Sequence, residues 1–157
     1  MSQASVTAAT RLEELSAELA LATGRLNRAI TREARGPALD VPTASLRLLS
    51  QVDELEPVTI GALATADRCS QPTMSAGVTS LVERGWATKV PNPDDARSSL
   101  VSLTDQGRSV LAGARRARAT VVADRFAALP HHDVQDLATA VAVIKALLDT
   151  TDTEGTA

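Results

Sequence analysis

Aromatic side chains are almost absent from this chain of 157 residues, which has one tryptophan, Trp86, one phenylalanine, Phe126, and no tyrosine. Its core therefore has to be built from Leu, Val, Ile and Ala, drawn from the 44% of residues that are apolar. Ala and Leu dominate outside residues 86–103, and both favour helix, so a mostly α protein is expected. A single cysteine, Cys69, excludes a disulfide framework or a Cys-rich metal site within one chain. No apolar run approaches the roughly 20 residues that span a bilayer. The N-terminal MSQASVTAATRLEEL lacks the basic-then-apolar order of a secretion signal. The expected location is cytoplasmic, with no membrane partner. Gly-rich phosphate loops, Ser-His-Asp or Cys-His arrangements at recognisable spacing, and metal-ligand clusters are all missing. His131 and His132 are adjacent, so they cannot project as two ligands from one helix face. No metal, no cofactor and no enzymatic activity is expected.

The length suits one domain spanning residues 1–157. Leu12, Leu15, Leu19, Leu26 and Ile30 recur at helical spacing, predicting a first helix from about Val6 to Arg35, ended by Gly36-Pro37. PALDVP reads as a loop. Thr43 is placed to cap a second helix carrying Leu46, Leu49, Val52 and Leu55, which Glu56-Pro57 stops. Thr59 caps a short third helix with Ile60, Leu63 and Ala64 inward. Asp67-Arg68-Cys69 is a turn, and Ser70 caps a fourth helix, with Pro72 in its first turn and Gly85 closing it. Residues 86–90 read as a strand, Pro91–Asp95 as a turn cluster, and Ser99–Leu103 as the returning strand. A long helix follows from Thr104-Asp105 to about Leu129, where Pro130 breaks it. A last helix runs from about His132 to Asp149, and the polar tail TDTEGTA closes the chain. Two short helices around a tight turn, followed by a charged hairpin, form a device for holding DNA: the second helix enters the major groove while the hairpin reaches the flanking backbone or minor groove.

The fourth helix carries the sharper signal. With Met74 placed in the core, Val78, Leu81 and Val82 share its stripe. The opposite face holds Thr73, Ala76, Gly77, Thr79 and Ser80, with Ser70, Gln71 and Pro72 at its start. A helix facing only water usually carries Lys, Glu and Arg there. Small uncharged groups suit close approach to another surface: Gln can bond two edges of adenine, Ser and Thr can bond bases or phosphates, and Ala can touch a thymine methyl. Gly77 costs about 1 kcal/mol relative to Ala in mid-helix, which is easier to understand if a partner must come close. A small-residue face packed on another helix of the same chain is the competing explanation.

The formal net charge of −3 argues mildly against a histone-like, non-specific binder. Distribution matters more. From Arg84 to Arg118 there are seven basic residues against three acidic ones, a net +4, while residues 130–157 carry a net −4. Positive charge sits where the hairpin sits, although such clustering is common on solvated surfaces.

The segment Asp95-x-Arg97, three residues, Val101-x-Leu103-Thr104, then Gly107, resembles the wing signature of the multiple-antibiotic-resistance regulator (MarR) family of winged-helix transcription factors. SQPTMSAGVTSLVERGW upstream is similar to the family's recognition helix, and the order of elements matches over nearly the whole chain. The resemblance implies a winged helix-turn-helix lobe over about residues 40–104, flanked by dimerisation helices over about 5–36 and 105–150. It implies a homodimer binding double-stranded DNA at a palindromic operator. Its contacts would come from Ser70, Gln71, Pro72, Thr73, Ser75, Ala76, Thr79 and Ser80 of the recognition helix and from Arg97 and Ser98 of the wing. Asp95 would be structural, holding the loop and orienting Arg97, whose guanidinium suits a narrow, negative minor groove. The family often carries a basic residue near position 76. Ala76 stands there here, so base preference should lean on Gln71, Thr73, Ser75 and Ser80 and on A·T-rich contacts.

Leu12, Leu15 and Leu19 in the first helix, and Leu137, Val141, Ile144 and Leu148 in the last, form apolar stripes that the lobe cannot cover, and are expected at the dimer interface. By resemblance, a small aromatic or amphipathic ligand would bind between the lobe and the dimer helices and release a repressor from DNA. No ligand-binding residue is named by the sequence. Two other readings stand beside this one: a winged-helix protein–protein interaction module, and a redox-sensing regulator acting through Cys69, whose thiol pKa a helix N-terminus would lower. A small buried hydrophobe is the simpler role for Cys69.

Overall fold

A computed structural model describes residues 3–34 and 41–152. The predicted end of the first helix at Gly36-Pro37 and the polar tail beyond residue 152 lie outside them. Contacts divide the chain into two compact units, residues 1–121 and 122–157. The division falls inside a helix.

In the first unit, α1 spans Gln3–Glu33 and α2 spans Thr43–Leu55. The expected cap at Thr43 is not used: Pro42 is the capping residue, makes no side-chain cap bond, and Thr43 is the first helical residue. Leu48, Leu49 and Val52 of α2 are buried. Pro57 holds Glu56 in extended backbone and so ends the helix after Leu55; the Glu56–Pro57 peptide is cis. A two-residue strand that the sequence did not announce, β1 (Val58–Thr59), follows. Thr59 then caps α3 (Ile60–Ala66) by accepting the Ala62 N–H at 3.1 Å. After the turn, Ser70 caps α4 (Gln71–Glu83), accepting the Thr73 N–H.

Gly85 has φ of +72°. It lets Gly85 N–H reach the Val82 carbonyl and Trp86 N–H reach that of Leu81, closing α4 and turning the chain directly into the sheet. Met74, Val78 and Leu81 are buried as expected, but Val82 is 38% exposed and does not belong to their stripe. Gly77 is explained from inside the lobe. A Cβ there would meet Leu48 Cδ2 at 3.0 Å, so the missing side chain admits α2, not an outside partner.

The sheet has the order β1-β3-β2, all antiparallel, with β2 over Ala87–Asn92 and β3 over Asp95–Leu103. The hairpin is longer than expected. Its turn is only Pro93-Asp94, because Asn92 accepts the Asp94 N–H at 3.1 Å and donates to Ser98 at 2.9 Å, drawing the strands together beyond Pro91. The core beneath is aliphatic, with Leu49, Val52, Leu63, Val78, Leu81 and Val101 almost fully buried and Trp86 at its edge.

α5 spans Asp105–Ala127. Thr104 precedes it, accepting the Gly107 N–H at 3.0 Å and donating to the Gly85 carbonyl at 2.6 Å. Asp53 and Glu56 near the end of α2 bind α5: Arg115 and Arg108 reach Asp53 at 2.9 and 3.3 Å, and Arg108 also pairs with Glu56. The other Glu56 oxygen accepts the Leu103 N–H at 2.6 Å. The hydrogen bond to Glu56 is the largest influence raising the Arg108 pKa above its ordinary value.

The second unit contains the end of α5 and α6 (Val134–Asp152). α6 begins two residues later than expected. Asp133 accepts the Gln135 and Asp136 N–H groups while Asp136 accepts the Asp133 N–H, a reciprocal cap that the two histidines precede. His131 has φ of +65° and His132 contacts Asp136.

Candidate nucleic-acid interface

The outer face of α4 is neutral and open. Gln71, Pro72, Thr73, Ala76 and Thr79 are exposed, and Ser75 and Ser80 are half-buried. Ser70 and Thr73 share a hydroxyl–hydroxyl hydrogen bond of 2.8 Å in the cap, and Thr79 donates to the Ser75 carbonyl, so these hydroxyls retain lone pairs to offer a partner. Beside this face runs an open groove of 550 Å³ whose lining includes Thr59, Gly61, Gln71, Ser75, Lys89 and Arg97.

In the wing, an Asp95 side-chain oxygen accepts the backbone N–H of Arg97 at 3.0 Å, so it shapes the loop beneath the arginine and does not bind its guanidinium. Ser98 is committed to the same turn, donating to the Asp95 carbonyl and accepting from Asn92. Arg97 is exposed.

The positive charge of the Arg84–Arg118 stretch is not all available. Arg108 and Arg115 are paired with acids of α2, and the Arg84 guanidinium lies 5.0 Å over the Trp86 ring. Lys89 and Arg97, in the groove, have no counter-ion among the described residues. The sequence count therefore overstated the free charge, because ion pairing across 50 residues or more is invisible to local composition.

A second cavity, of 320 Å³, lies between α1, α2 and α5, with Asn27, Thr31, Leu46, Ser50, Arg115 and Arg118 among its lining. Arg118 is half-buried with no counter-ion among the described residues. The sequence assigns none of these residues to a cavity: Leu46 counts there as a core position, and Arg115 and Arg118 as part of the basic stretch.

Cys69 is half-buried and packs against the core, with its sulfur 3.7 Å from the Ser70 carbonyl. On α1, Leu12, Leu15 and Leu19 are exposed within the chain. On α6, Val141, Ile144 and Leu148 are exposed and Leu137 is half-buried. Among the described residues no group of His, Cys, Asp and Glu could hold a metal ion, and no helix is long and apolar enough to cross a membrane.

Residues 42–99 match the MarR family model. The chain is 33% identical over 135 residues, 86% of its length and 93% of the relative's, to an HTH-type transcriptional regulator of Mycobacterium tuberculosis. The chain belongs to the MarR family. Its fold is similar to that of a transcriptional regulator protein from Pseudomonas aeruginosa (TM-score 0.74, 27% identity, covering 89% of this chain and 96% of that one). It is also similar to a mutant of MarR from E. coli solved with operator DNA (TM-score 0.60, 19% identity, covering 88% and 96%). This MarR-family chain is thus a winged-helix transcriptional regulator, and its α3–α4 pair and β2–β3 hairpin are the helix-turn-helix and the wing.

Proposed function

We propose that the chain acts as a homodimeric repressor that binds an imperfect palindromic operator and is released by a small aromatic or amphipathic anion. One observation carries the DNA reading: a neutral, exposed helix face stands beside a groove whose two cations lack counter-ions among the described residues. Uncharged Ser, Thr and Ala groups suit base edges, and unpaired cations suit phosphate. The operator complex of the E. coli relative supports carrying that mode to this chain. Half-sites about one helical turn, roughly 34 Å, apart would match two lobes of one dimer. The cavity beside Arg118 supports the ligand reading, since a half-buried guanidinium attracts a carboxylate or phenolate.

A gel-shift against the duplex upstream of the chain's own coding sequence tests this. A sequence-specific complex at moderate salt is expected, and Arg97→Ala should weaken it and flatten its salt dependence by about 0.9 for each lobe bound. A parent protein that discriminates no sequence overturns the reading. A thermal-shift screen of phenolic acids and lipophilic drugs tests the ligand arm, for which a rise in Tm is expected and a flat response counts against.

A further inference from the structure

β2 is an edge strand buried only at its start, with Lys89 and Val90 both exposed. Ala87 faces the core at 3% exposed, and Lys89, two residues on, shares its face and pairs with the fully buried Val101. Val90, on the alternate face, is 52% exposed. A strand with one buried side would place the valine inward and the lysine outward. Beyond Ala87 the inner face opens into the groove, where Lys89 meets the region of Gly61, Gln71 and Arg97. Gln71 is bent across the groove floor: a Cβ on Gly61 would lie 3.0 Å from its Nε2. Its amide therefore sits over the first turn of α3, while Ala76 and Thr79 occupy the outer face of α4.

We propose that this groove seats one sugar–phosphate strand of the bound duplex, with Lys89 pairing to a phosphate and Gln71 donating to a backbone oxygen, so that Gln71 sets register and reads no base. This rests on the DNA-binding reading above and reassigns Gln71 from the adenine contact its residue type suggests. Asp95 also lines the groove, but its carboxylate holds the Arg97 N–H at the wing turn. Phosphate contacts position a protein on DNA and base contacts specify the sequence, so specificity falls to Thr73, Ala76, Thr79 and the half-buried serines. An exposed lysine on an edge strand also has a different use, blocking edge-to-edge pairing of sheets, and the test separates the two.

Fluorescence anisotropy of the full chain, on the upstream duplex and on a scrambled duplex of equal length, is read as a function of salt. Lys89→Gln should weaken both alike and reduce the slope of log K against log salt by about 0.9 for each lobe bound, and Lys89→Arg should restore it. Gln71→Ala should weaken the upstream duplex and its single-base-pair variants by a common factor, about 2- to 10-fold, leaving their ranking intact. Thermal melts confirm that each variant is folded. An unchanged slope for Lys89→Gln, with or without self-association, overturns the phosphate contact. A ranking that flattens at one base pair in Gln71→Ala overturns the reassignment. If the parent binds both duplexes equally, operator specificity fails while a reduced slope still supports the seat; if it binds neither, both fall.

Discussion

Thr104 and Gly107 show why the wing signature has the residues it has. Thr104 joins three elements through one hydroxyl, capping α5 while holding the carbonyl of Gly85 where α4 ends. Gly107 lies where a Cβ would come within 2.0 Å of the Trp86 carbonyl oxygen, a backbone atom that cannot swing aside. Gly107→Ala should therefore cost about 3 kcal/mol through overpacking, lowering Tm by roughly 6–12 °C for a chain of this size. Thermal denaturation followed by circular dichroism measures it, and a Tm within about 2 °C of the parent would contradict the account. Gly77 contrasts with this. Its nearest neighbour is the end of a flexible side chain, Leu48 Cδ2, so the same substitution there meets a neighbour that can move.

The wing hairpin is tied to the rest of its unit at the base more than at the tip. β1 pairs with only two residues of β3, but Glu56, immediately after α2, accepts the N–H of Leu103 at the end of β3 and pairs with Arg108 on α5. One carboxylate thus holds a helix end, a strand end and the first turns of the next helix together. Removing it in Glu56→Ala leaves a part-buried N–H without its acceptor, a loss of about 1–3 kcal/mol. Amide hydrogen exchange should show Leu103 exchanging about tenfold faster or more, with the interior of α4 little changed. Equal protection at Leu103 in parent and variant would mean the carboxylate is dispensable. The position was readable in the sequence only as a helix stop. Its partners lie 47 and 52 positions further along the chain, and nothing local announces them.

For the assembled protein, the exposed apolar residues of α1 and α6 carry the proposal of a dimer. Ile144 is 39% exposed within one chain, so Ile144→Glu should leave the protomer folded while placing a charge in the expected interface. Leu137 is half-buried already and is a less selective probe. The variant should sediment as a monomer and bind the operator about 100-fold or more weakly, because two linked lobes gain affinity from effective concentration. Analytical ultracentrifugation alongside gel-shift decides. A monomeric variant that binds the full operator as tightly as the parent would refute a dimer-dependent mechanism.

The order of helices, the caps at Thr59 and Ser70, the left-handed turn at Gly85 and the wing motif were all legible from residues in order, because each depends on contacts within a few positions. That is also why the wing motif marks the family in the sequence alone. Local chemistry misled where a neighbour distant in sequence took over. Gly77 makes room for Leu48 of α2, and two arginines of the basic stretch are spent on Asp53 and Glu56. Only folding brings Lys89 and Arg97 to opposite Gln71 in one groove, and Arg118 to a cavity that α1, α2 and α5 share. Hydrogen bonds that close turns and caps are short-range and leave their mark in consecutive residues. Which charges stay unpaired, and which side chains face one another across a groove, depends on strands and helices meeting far along the chain.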